Sequence, residues 1–149
     1  MTHAFRLDGT VTVVTGASSG IGAGIARAVG EAGGDVLLVG RSAERLADAL
    51  AGVTATGARG AVIAVDLTAD DAPRAVTEAA LAEFGRIDGL VNAAGIYRMA
   101  SLADTTDEIL DEHWNANVRA PYRLTREIAP HLGDSGSIVF ISSMSGHVG

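Results

Sequence analysis

The amino-acid sequence predicts a doubly wound α/β fold, in which helices cover both faces of a parallel β-sheet. Short runs rich in β-branched residues alternate with longer stretches whose apolar residues recur at helical spacing, an order typical of this fold class. The short runs are almost continuously apolar, as expected for strands that are buried on both faces. A glycine-rich turn, TGASSGIG, directly follows the first run and precedes a helical stretch.

Strands and helices can be assigned from these two periods. The strands are predicted at Thr10–Thr15, Asp35–Val39, Ala61–Val65, Ile87–Asn92 and Ser137–Ile141. The first helix has an apolar stripe at roughly one-turn spacing, formed by Ile21, Ile25, Val29 and Ala32. The segments AERLADAL and PRAVTEAALAEF carry similar stripes. No linker, repeat or low-complexity segment interrupts the pattern, so residues 1–149 are interpreted as one domain.

The segment Thr105–Leu132 has the features of a long helix with an interruption. Thr105 and Glu108 form a Thr-x-x-Glu pattern, which predicts a capping box at its start. An apolar stripe follows at four-residue steps, formed by Leu110, Trp114, Val118 and Tyr122. Pro121 lies within the stripe, where its ring and missing N–H predict a kink. Because Pro121 cannot donate to the Asn117 carbonyl, we expect that carbonyl to be available to water or a ligand.

The composition is that of a soluble globular chain and argues against several kinds of site. The sequence is 48% hydrophobic and 19% charged, with a net charge of −7 and arginine in all eleven basic positions. An acidic chain without a basic stripe argues against nucleic acid as a partner. Cysteine is absent and the four histidines lack ligand spacing, so no disulfide or metal site is predicted. Neither a signal peptide nor a membrane span is recognisable, and a cytoplasmic location is expected.

The glycine-rich turn has the context of a dinucleotide-binding loop, because it lies between a strand and a helix. Gly16 is predicted to make the sharp turn, Gly20 to let the backbone approach a pyrophosphate, and Gly22 to let the helix pack closely. The phosphates would then bind the free N–H groups at the helix N-terminus. Three more residues of the loop are predicted to contact the cofactor: Ser18, Ser19 and Ile21. The alternative is a tight connection with a serine cap.

The order Thr-Gly-x-x-x-Gly-x-Gly resembles the cofactor loop of the short-chain dehydrogenase/reductase family, whose fold is of the Rossmann type. Four further motifs match that family in order, and together they cover nearly the whole chain. Asp66-Leu67 corresponds to the family's adenine contact, and NAAG, with Asn92, Ala93 and Gly95, resembles its Asn-Asn-Ala-Gly. Asn117 and Ser143, the latter in Ser-x-x-Gly, match its catalytic Asn and Ser.

Each of these matches has an alternative interpretation. Asp66 could simply begin a turn before a helix capped by Thr68. The NAAG segment is used in the family mainly to stabilise the central sheet. Asn117 could be a buried helix residue satisfied by packing, although the free carbonyl next to Pro121 suits the family's water relay. Ser143 has two competitors nearby, Ser142 and Ser145.

The end of the second strand indicates the cofactor. NAD-binding sites usually place an acidic residue there to accept from the ribose 2′-OH, whereas this chain has Gly40, followed by Arg41 and Ser42. Asp35 lies at the other end of the strand, and Glu44 belongs to the next helix. A guanidinium group can pair with a 2′-phosphate. The sequence therefore favours NADP over NAD, with contacts from Arg41 and Ser42; a solvated loop arginine is the alternative.

The resemblance implies hydride transfer between NADP(H) and a carbonyl or alcohol substrate. In the family a Ser holds the substrate oxygen, and a Tyr followed four residues later by a Lys transfers the proton. No lysine occurs in this chain, Tyr97 lies too early, and Tyr122 with Arg126 only imitates the spacing. Residues 1–149 are therefore expected to be an incomplete Rossmann domain, without its C-terminal strands and Tyr-x-x-x-Lys segment, and inactive alone.

Two functions remain open at this stage. The first is an NADP-dependent carbonyl reductase or alcohol dehydrogenase that acts on a small molecule and, by analogy with the family, forms a homo-oligomer through the Thr105–Leu132 helix. The second is a dinucleotide-binding module without chemistry. An in-frame Tyr-x-x-x-Lys after Gly149 would favour the enzyme, and a stop codon would favour the module.

Overall fold

The computed structural model describes residues 5–144, which form a five-stranded parallel sheet in the order β3-β2-β1-β4-β5. The strands are β1 Val11–Thr15, β2 Asp35–Gly40, β3 Gly60–Ala64, β4 Ile87–Asn92 and β5 Leu132–Phe140. The helices are α1 Gly20–Glu31, α2 Ala43–Thr54, α3 Ala72–Phe84, α4 Asp107–Trp114 and α5 Ala120–Ile128. After β3 the chain crosses to the other side of β1, which makes the fold doubly wound. The predicted fold class is confirmed.

Two apolar cores lie on opposite faces of the sheet because side chains alternate along each strand. Val13 pairs in register with Leu37 and Leu90, and all three belong to the first core. That core also contains residues of α3 and α5: Val76, Ala80, Leu124 and Ile128. The second core, which includes the adjacent Val14, contains residues of α1 and α2: Ala26, Val29, Leu46 and Val53. Helices therefore cover both faces, as predicted.

Burial on both faces holds for the inner strands and fails for the edge strands. All five residues of β1 are buried, whereas every residue of β5 after Leu132 is exposed, including Val139 at 44%. β3 is also only partly buried. An edge strand has a neighbour on one side only, so the prediction of full burial was wrong for β3 and β5. β5 also begins five residues earlier than predicted, with an irregular register opposite Ile87 and Gly89.

The long helical segment begins one residue later than the predicted capping box requires. Thr106, not Thr105, is the N-cap of α4, and its hydroxyl accepts from the Ile109 N–H at 3.4 Å. The Thr105 hydroxyl instead donates to the Ser101 carbonyl at 2.9 Å, as part of a turn that precedes the helix. The Thr106 hydroxyl also holds the pKa of Glu108 below its ordinary value. The prediction of a capping box formed by Thr105 and Glu108 is therefore wrong.

Before Pro121 the helix changes from α to π geometry. Residues Asn115–Arg119 form a π-helical segment between α4 and α5, in which the Ala120 N–H donates to the Asn115 carbonyl. Pro121 is the second residue of α5, and it cannot donate an N–H to the helix. The kink predicted at Pro121 stays a prediction, and the structure has a π segment directly before α5, a feature frequent at functional sites. A 3-10 turn, Ala129–His131, leads into β5.

Across residues 5–144, no helix is both long and apolar enough to cross a bilayer. The same residues contain no cluster of three or more His, Asp or Glu side chains placed to hold a metal ion.

Candidate functional site

A cleft of about 600 Å³ lies at the carboxyl edge of the sheet, where the chain order reverses between β1 and β4. In open α/β sheets this position is where ligands bind. The four loops after β1, β2, β3 and β4 line the cleft. It contains all the predicted cofactor-binding residues except Ser42 and Asn92: Gly16, Ser18, Ser19, Gly20, Ile21, Gly22, Arg41, Asp66, Leu67, Ala93 and Gly95.

The three glycines of the first loop have distinct geometric reasons to be glycine. Gly16 has φ 66°, and a Cβ there would meet the Ala93 carbonyl oxygen at 2.8 Å. A Cβ on Gly22 would lie 2.2 Å from the carbonyl oxygen of Gly16, so the helix packs directly on the turn. Gly20 has φ 54° and faces open space. The turn and the close packing agree with the roles predicted for Gly16 and Gly22, and the space at Gly20 leaves room for a ligand.

The N-terminus of α1 suits an anionic group. Ser19 is its N-cap, but the Ser19 side chain makes no capping hydrogen bond, and the first turn carries no acidic residue. The first N–H groups of a helix have no partner within it and carry partial positive charge. These groups open onto the cleft beside Ser18, Ser19 and Gly20, so the residues present fit a pyrophosphate.

The end of β2 contributes two arginines to the cleft. Arg41 was predicted, and Arg45, the third residue of α2, was not. Ser42 is the N-cap of α2, where its hydroxyl accepts from the Arg45 N–H at 3.3 Å. Ser42 therefore caps α2 and lies outside the cleft lining, and its contact with a cofactor stays a prediction. Gly40 is tightly packed, since a Cβ there would lie 3.3 Å from both Leu46 and Ser18.

Asp66 is held in a turn immediately after β3. Its Oδ1 accepts from the Thr68 N–H at 2.9 Å and from the Thr68 hydroxyl at 2.8 Å. These bonds, with a smaller contribution from the charge of Arg41, lower the pKa of Asp66. The carboxylate is therefore ionised and fixed at the cleft. The turn interpretation is correct, but Thr68 caps no helix, because α3 begins at Ala72 after Asp71.

Thr15 connects the first loop to the NAAG segment, a role the sequence did not reveal. Its hydroxyl oxygen accepts from the N–H groups of Ala93 and Ala94, both at 3.1 Å. Asn92 is 4% exposed, and its Nδ2 donates to the Thr125 hydroxyl at 3.2 Å. Asn92 therefore joins β4 to α5, and it lies outside the cleft lining, so its contact with a cofactor stays a prediction.

The two predicted catalytic residues lie outside the cleft lining. Asn117 belongs to the π segment and is exposed rather than buried. Its Oδ1 accepts from the Ile96 N–H at 2.8 Å, and its Nδ2 donates to the Ile96 carbonyl at 2.9 Å. Ser143 is exposed just beyond β5, two residues after Ile141, whose N–H donates to the Asn92 carbonyl. The carboxyl end of β5 thus lies beside the NAAG segment.

Other candidates lie elsewhere. Tyr122 and Arg126 interact with each other on α5, with the guanidinium carbon 5.7 Å from the ring centroid, and neither lines the cleft. Ser145 lies outside the described residues. Among the cleft residues that sequence reasoning missed, Glu112 and Asn115 belong to α4 and the π segment. Of these missed residues, only Arg45 could have been predicted from the sequence, since it follows Arg41 by about one helical turn.

Comparison with known proteins gives a consistent result. The family model for short chain dehydrogenase matches residues 10–149. An uncharacterised oxidoreductase of Methylorubrum extorquens is 39% identical over 140 residues, which are 93% of this chain and 56% of that protein. The 2-dehydro-3-deoxy-D-gluconate 5-dehydrogenase of Escherichia coli is 35% identical over 144 residues, 95% of this chain and 56% of the enzyme.

A solved structure shares the fold over almost all of the chain. The short chain dehydrogenase from Burkholderia cenocepacia, in complex with NADP, superposes with a TM-score of 0.90 at 40% identity. The match covers 97% of this chain and 60% of that one. The chain therefore spans a little more than half the length of these three relatives.

Proposed function

The chain belongs to the short chain dehydrogenase family, and we propose that it forms the NADP-binding part of an oxidoreductase acting on a carbonyl or alcohol substrate. The observation that carries this proposal is the cleft at the switch point of the sheet, with the glycine loop and the α1 N-terminus on one side. Among residues 5–144, the charged residues that line the cleft are Arg41, Arg45, Asp66 and Glu112. They do not form an acid–base cluster that would suit another class of reaction.

The preference for NADP rests on the end of β2. Arg41 and Arg45 supply two guanidinium groups that suit a 2′-phosphate. The usual acidic position is Gly40, where packing against Leu46 and Ser18 leaves little space for a side chain. Asp35 is at the opposite end of the strand and pairs with Arg59 at 2.7 Å. The NADP complex of the Burkholderia cenocepacia relative is compatible with this choice.

The residues of this chain have separate roles in the proposed reaction. The α1 N-terminus binds the pyrophosphate, and the fixed carboxylate of Asp66 contacts the adenine. When bound, the nicotinamide supplies or accepts the hydride. We assign the Ser143 hydroxyl to the substrate oxygen. The Asn117 main-chain carbonyl, which Pro121 leaves without its α-helical donor, serves the proton relay, while the Asn117 side chain fixes Ile96.

The proton donor is proposed to lie in sequence beyond this chain, in a Tyr-x-x-x-Lys segment. Absence of positioned acid–base catalysis costs about 10²–10⁴-fold in rate. Purified residues 1–149 should therefore bind NADP(H) weakly without reducing ketones or aldehydes, whereas a full-length protein carrying that segment should consume NADPH. Steady turnover by residues 1–149 that is lost in Ser143→Ala would show that another acid serves here. Binding without turnover at full length would favour the non-catalytic module.

A homo-oligomer is proposed on the surface of the long helical segment. The predicted stripe is exposed, with Leu110 at 59%, Trp114 at 53%, Val118 at 42% and Tyr122 at 61%. Apolar side chains spaced along one segment favour burial in a protein–protein contact. Analytical ultracentrifugation of the full-length protein and its Val118→Asp variant tests this, since the proposal requires the variant to dissociate.

A further inference from the structure

The segment after β4 is attached to the long helical segment at three points. The peptide of Ile96 makes two hydrogen bonds with the Asn117 side chain. Two residues later, the Arg98 N–H donates to His113 Nε2 at 3.1 Å. The Arg98 guanidinium also pairs with Glu112 at 3.2 Å. The segment Ile96–Arg98 is therefore held at both ends.

The hydrogen bonds of His113 define its protonation state. Its Nδ1 lies 2.7 Å from the carbonyl oxygen of Ile109, which can only accept, so Nδ1 carries the proton. Its Nε2 faces the N–H of Arg98, which can only donate, so Nε2 carries a lone pair. This geometry requires a neutral imidazole in the Nδ1–H form. An imidazolium would place two N–H groups against each other and would lose the bond to Arg98.

The position of the attached segment connects His113 to the cleft. Gly95 and Ile96 form part of the cleft wall, and Glu112 lines the cleft from α4. Tyr97 lies between the two attached residues, Ile96 and Arg98, with its side chain 76% exposed. Release of Arg98 would therefore free one end of the Ile96–Arg98 segment, whose other end, Ile96, lies in the cleft wall.

We propose that His113 is a positioning residue, whose neutral ring holds Arg98 at the far end of the Ile96–Arg98 segment and whose protonation releases that end, while Ile96 in the cleft wall stays bonded to Asn117. Histidine ordinarily changes charge between about pH 5 and 8. The charged side chains of the two residues next to this contact, Arg98 on the loop and Glu112 before His113 on α4, pair with each other. That release of the Arg98 end affects catalysis rests on the proposed oxidoreductase function.

The first test measures hydrogen exchange of the Arg98 amide, expressed as protection relative to the intrinsic rate at each pH. Protection should fall about 3- to 10-fold between pH 8 and pH 5.5, the factor that one hydrogen bond contributes. His113→Gln keeps an acceptor that does not titrate, so its protection should stay constant. In His113→Asn the side chain is too short to reach Arg98, so the Arg98 amide should lack this protection at both pH values. The Ile96 amide, held by Asn117, is the internal control.

The second test measures KM and kcat of the full-length protein against pH. The proposal requires the substrate KM of the wild type to rise as the pH falls, with a smaller change in kcat, and requires a flatter KM profile in His113→Gln. The proposal would be overturned if the wild type and His113→Gln had the same pH profile of KM. It would also be overturned if the hydrogen-exchange protection of the Arg98 amide in the wild type did not depend on pH. A protein that binds no dinucleotide would contradict the proposed function instead, and the exchange measurement would still decide whether His113 holds the segment.

Discussion

The side chain of Asn117 and the peptide of Ile96 form a closed pair of hydrogen bonds, 2.8 Å and 2.9 Å long. The amide group of Asn117 thus satisfies both backbone groups of a loop residue that lines the cleft. Asn117 can do so from the π segment, which ends two residues before Pro121. One asparagine therefore fixes the cleft wall with its side chain, while its main chain remains the candidate for the proton relay.

Replacement of Asn117 should loosen this wall measurably. Asn117→Ala removes both hydrogen bonds, and at about 0.5–1.5 kcal/mol for each we expect the free energy of unfolding to fall by about 1–3 kcal/mol. Urea denaturation measures the change, and the Ile96 amide should exchange faster. Asn115→Ala is the matched control on the same segment and should change stability by less than about 0.5 kcal/mol. Equal effects of the two variants would contradict the account.

The contact between Gly22 and Gly16 predicts a large difference between two glycine substitutions in the same helix. Gly22→Ala places a Cβ 2.2 Å from the Gly16 carbonyl oxygen, so it should cost at least about 3 kcal/mol or prevent folding. A Cβ at Gly24 meets nothing within 4 Å, so Gly24→Ala should be neutral or stabilise by up to about 1 kcal/mol. Thermal unfolding compares them, and a tolerated Gly22→Ala would show that the close packing is wrong.

Asp88 predicts how stability changes with pH. Its carboxylate accepts from Arg86 at 2.6 and 2.8 Å and from the Val11 N–H at 2.8 Å, which joins β4 to β1. The guanidinium of Arg86 first, and then the Val11 amide, lower the pKa of Asp88 in the folded state. Its contribution is therefore complete above the unfolded pKa of about 3.9 and is lost as the pH falls through the lower folded value.

Urea unfolding from pH 7 to pH 3 measures this effect. Asp88→Asn retains an acceptor for Val11 but loses the charge, so it should be less stable than the wild type at pH 7. The difference should shrink as the pH falls below about 4. Arg86→Gln removes the main partner and should flatten the pH dependence in the same way. A difference that stays constant over the whole range would exclude this role of Asp88.

The parts of the fold that could be predicted from the sequence depend on short-range patterns. The bounds of four strands were predicted to within about one residue. Gly16 and Gly22 lie as expected, because the geometry of a tight turn depends on residues that are adjacent in sequence. The start of β5 was missed because Gly133 to Gly136 lacks β-branched residues. The capping residue was displaced because Thr105 and Thr106 are both suitable, and only the preceding turn with Ser101 decides between them.

The attachments of the site could not be predicted, because they join residues far apart in sequence. Thr15 and Ala94 are 79 positions apart, and Asn117 and Ile96 are 21 apart. A resemblance in motifs identifies Asn92 as important but does not distinguish a cofactor contact from the bond to Thr125 that the structure contains. Arg45 enters the cleft only because α2 begins directly after β2.

The exposed face of β5 predicts self-association of residues 1–149. Ile138, Val139 and Phe140 are 36%, 44% and 56% exposed on an edge strand, and unpaired apolar edges promote pairing between chains. Val139→Lys should increase the monomer fraction in size-exclusion chromatography. Leu102→Lys, which replaces a 95% exposed side chain outside the sheet, should have little effect. If the two variants behave alike, general surface hydrophobicity rather than the strand edge causes the association.

The central claim is that the cleft binds NADP(H) through a contact between Arg41 and the 2′-phosphate. The most direct measurement is the Kd of NADPH and of NADH, obtained by fluorescence titration of the full-length wild type and of its Arg41→Asp variant. The substitution places a like charge against the 2′-phosphate, so we expect the Kd of NADPH to rise about 10- to 100-fold and that of NADH by less than about threefold. Arg74→Asp, on the outer surface of α3, is the charge-matched control and should change neither. Equal losses for both cofactors, or no loss for NADPH, would contradict the account.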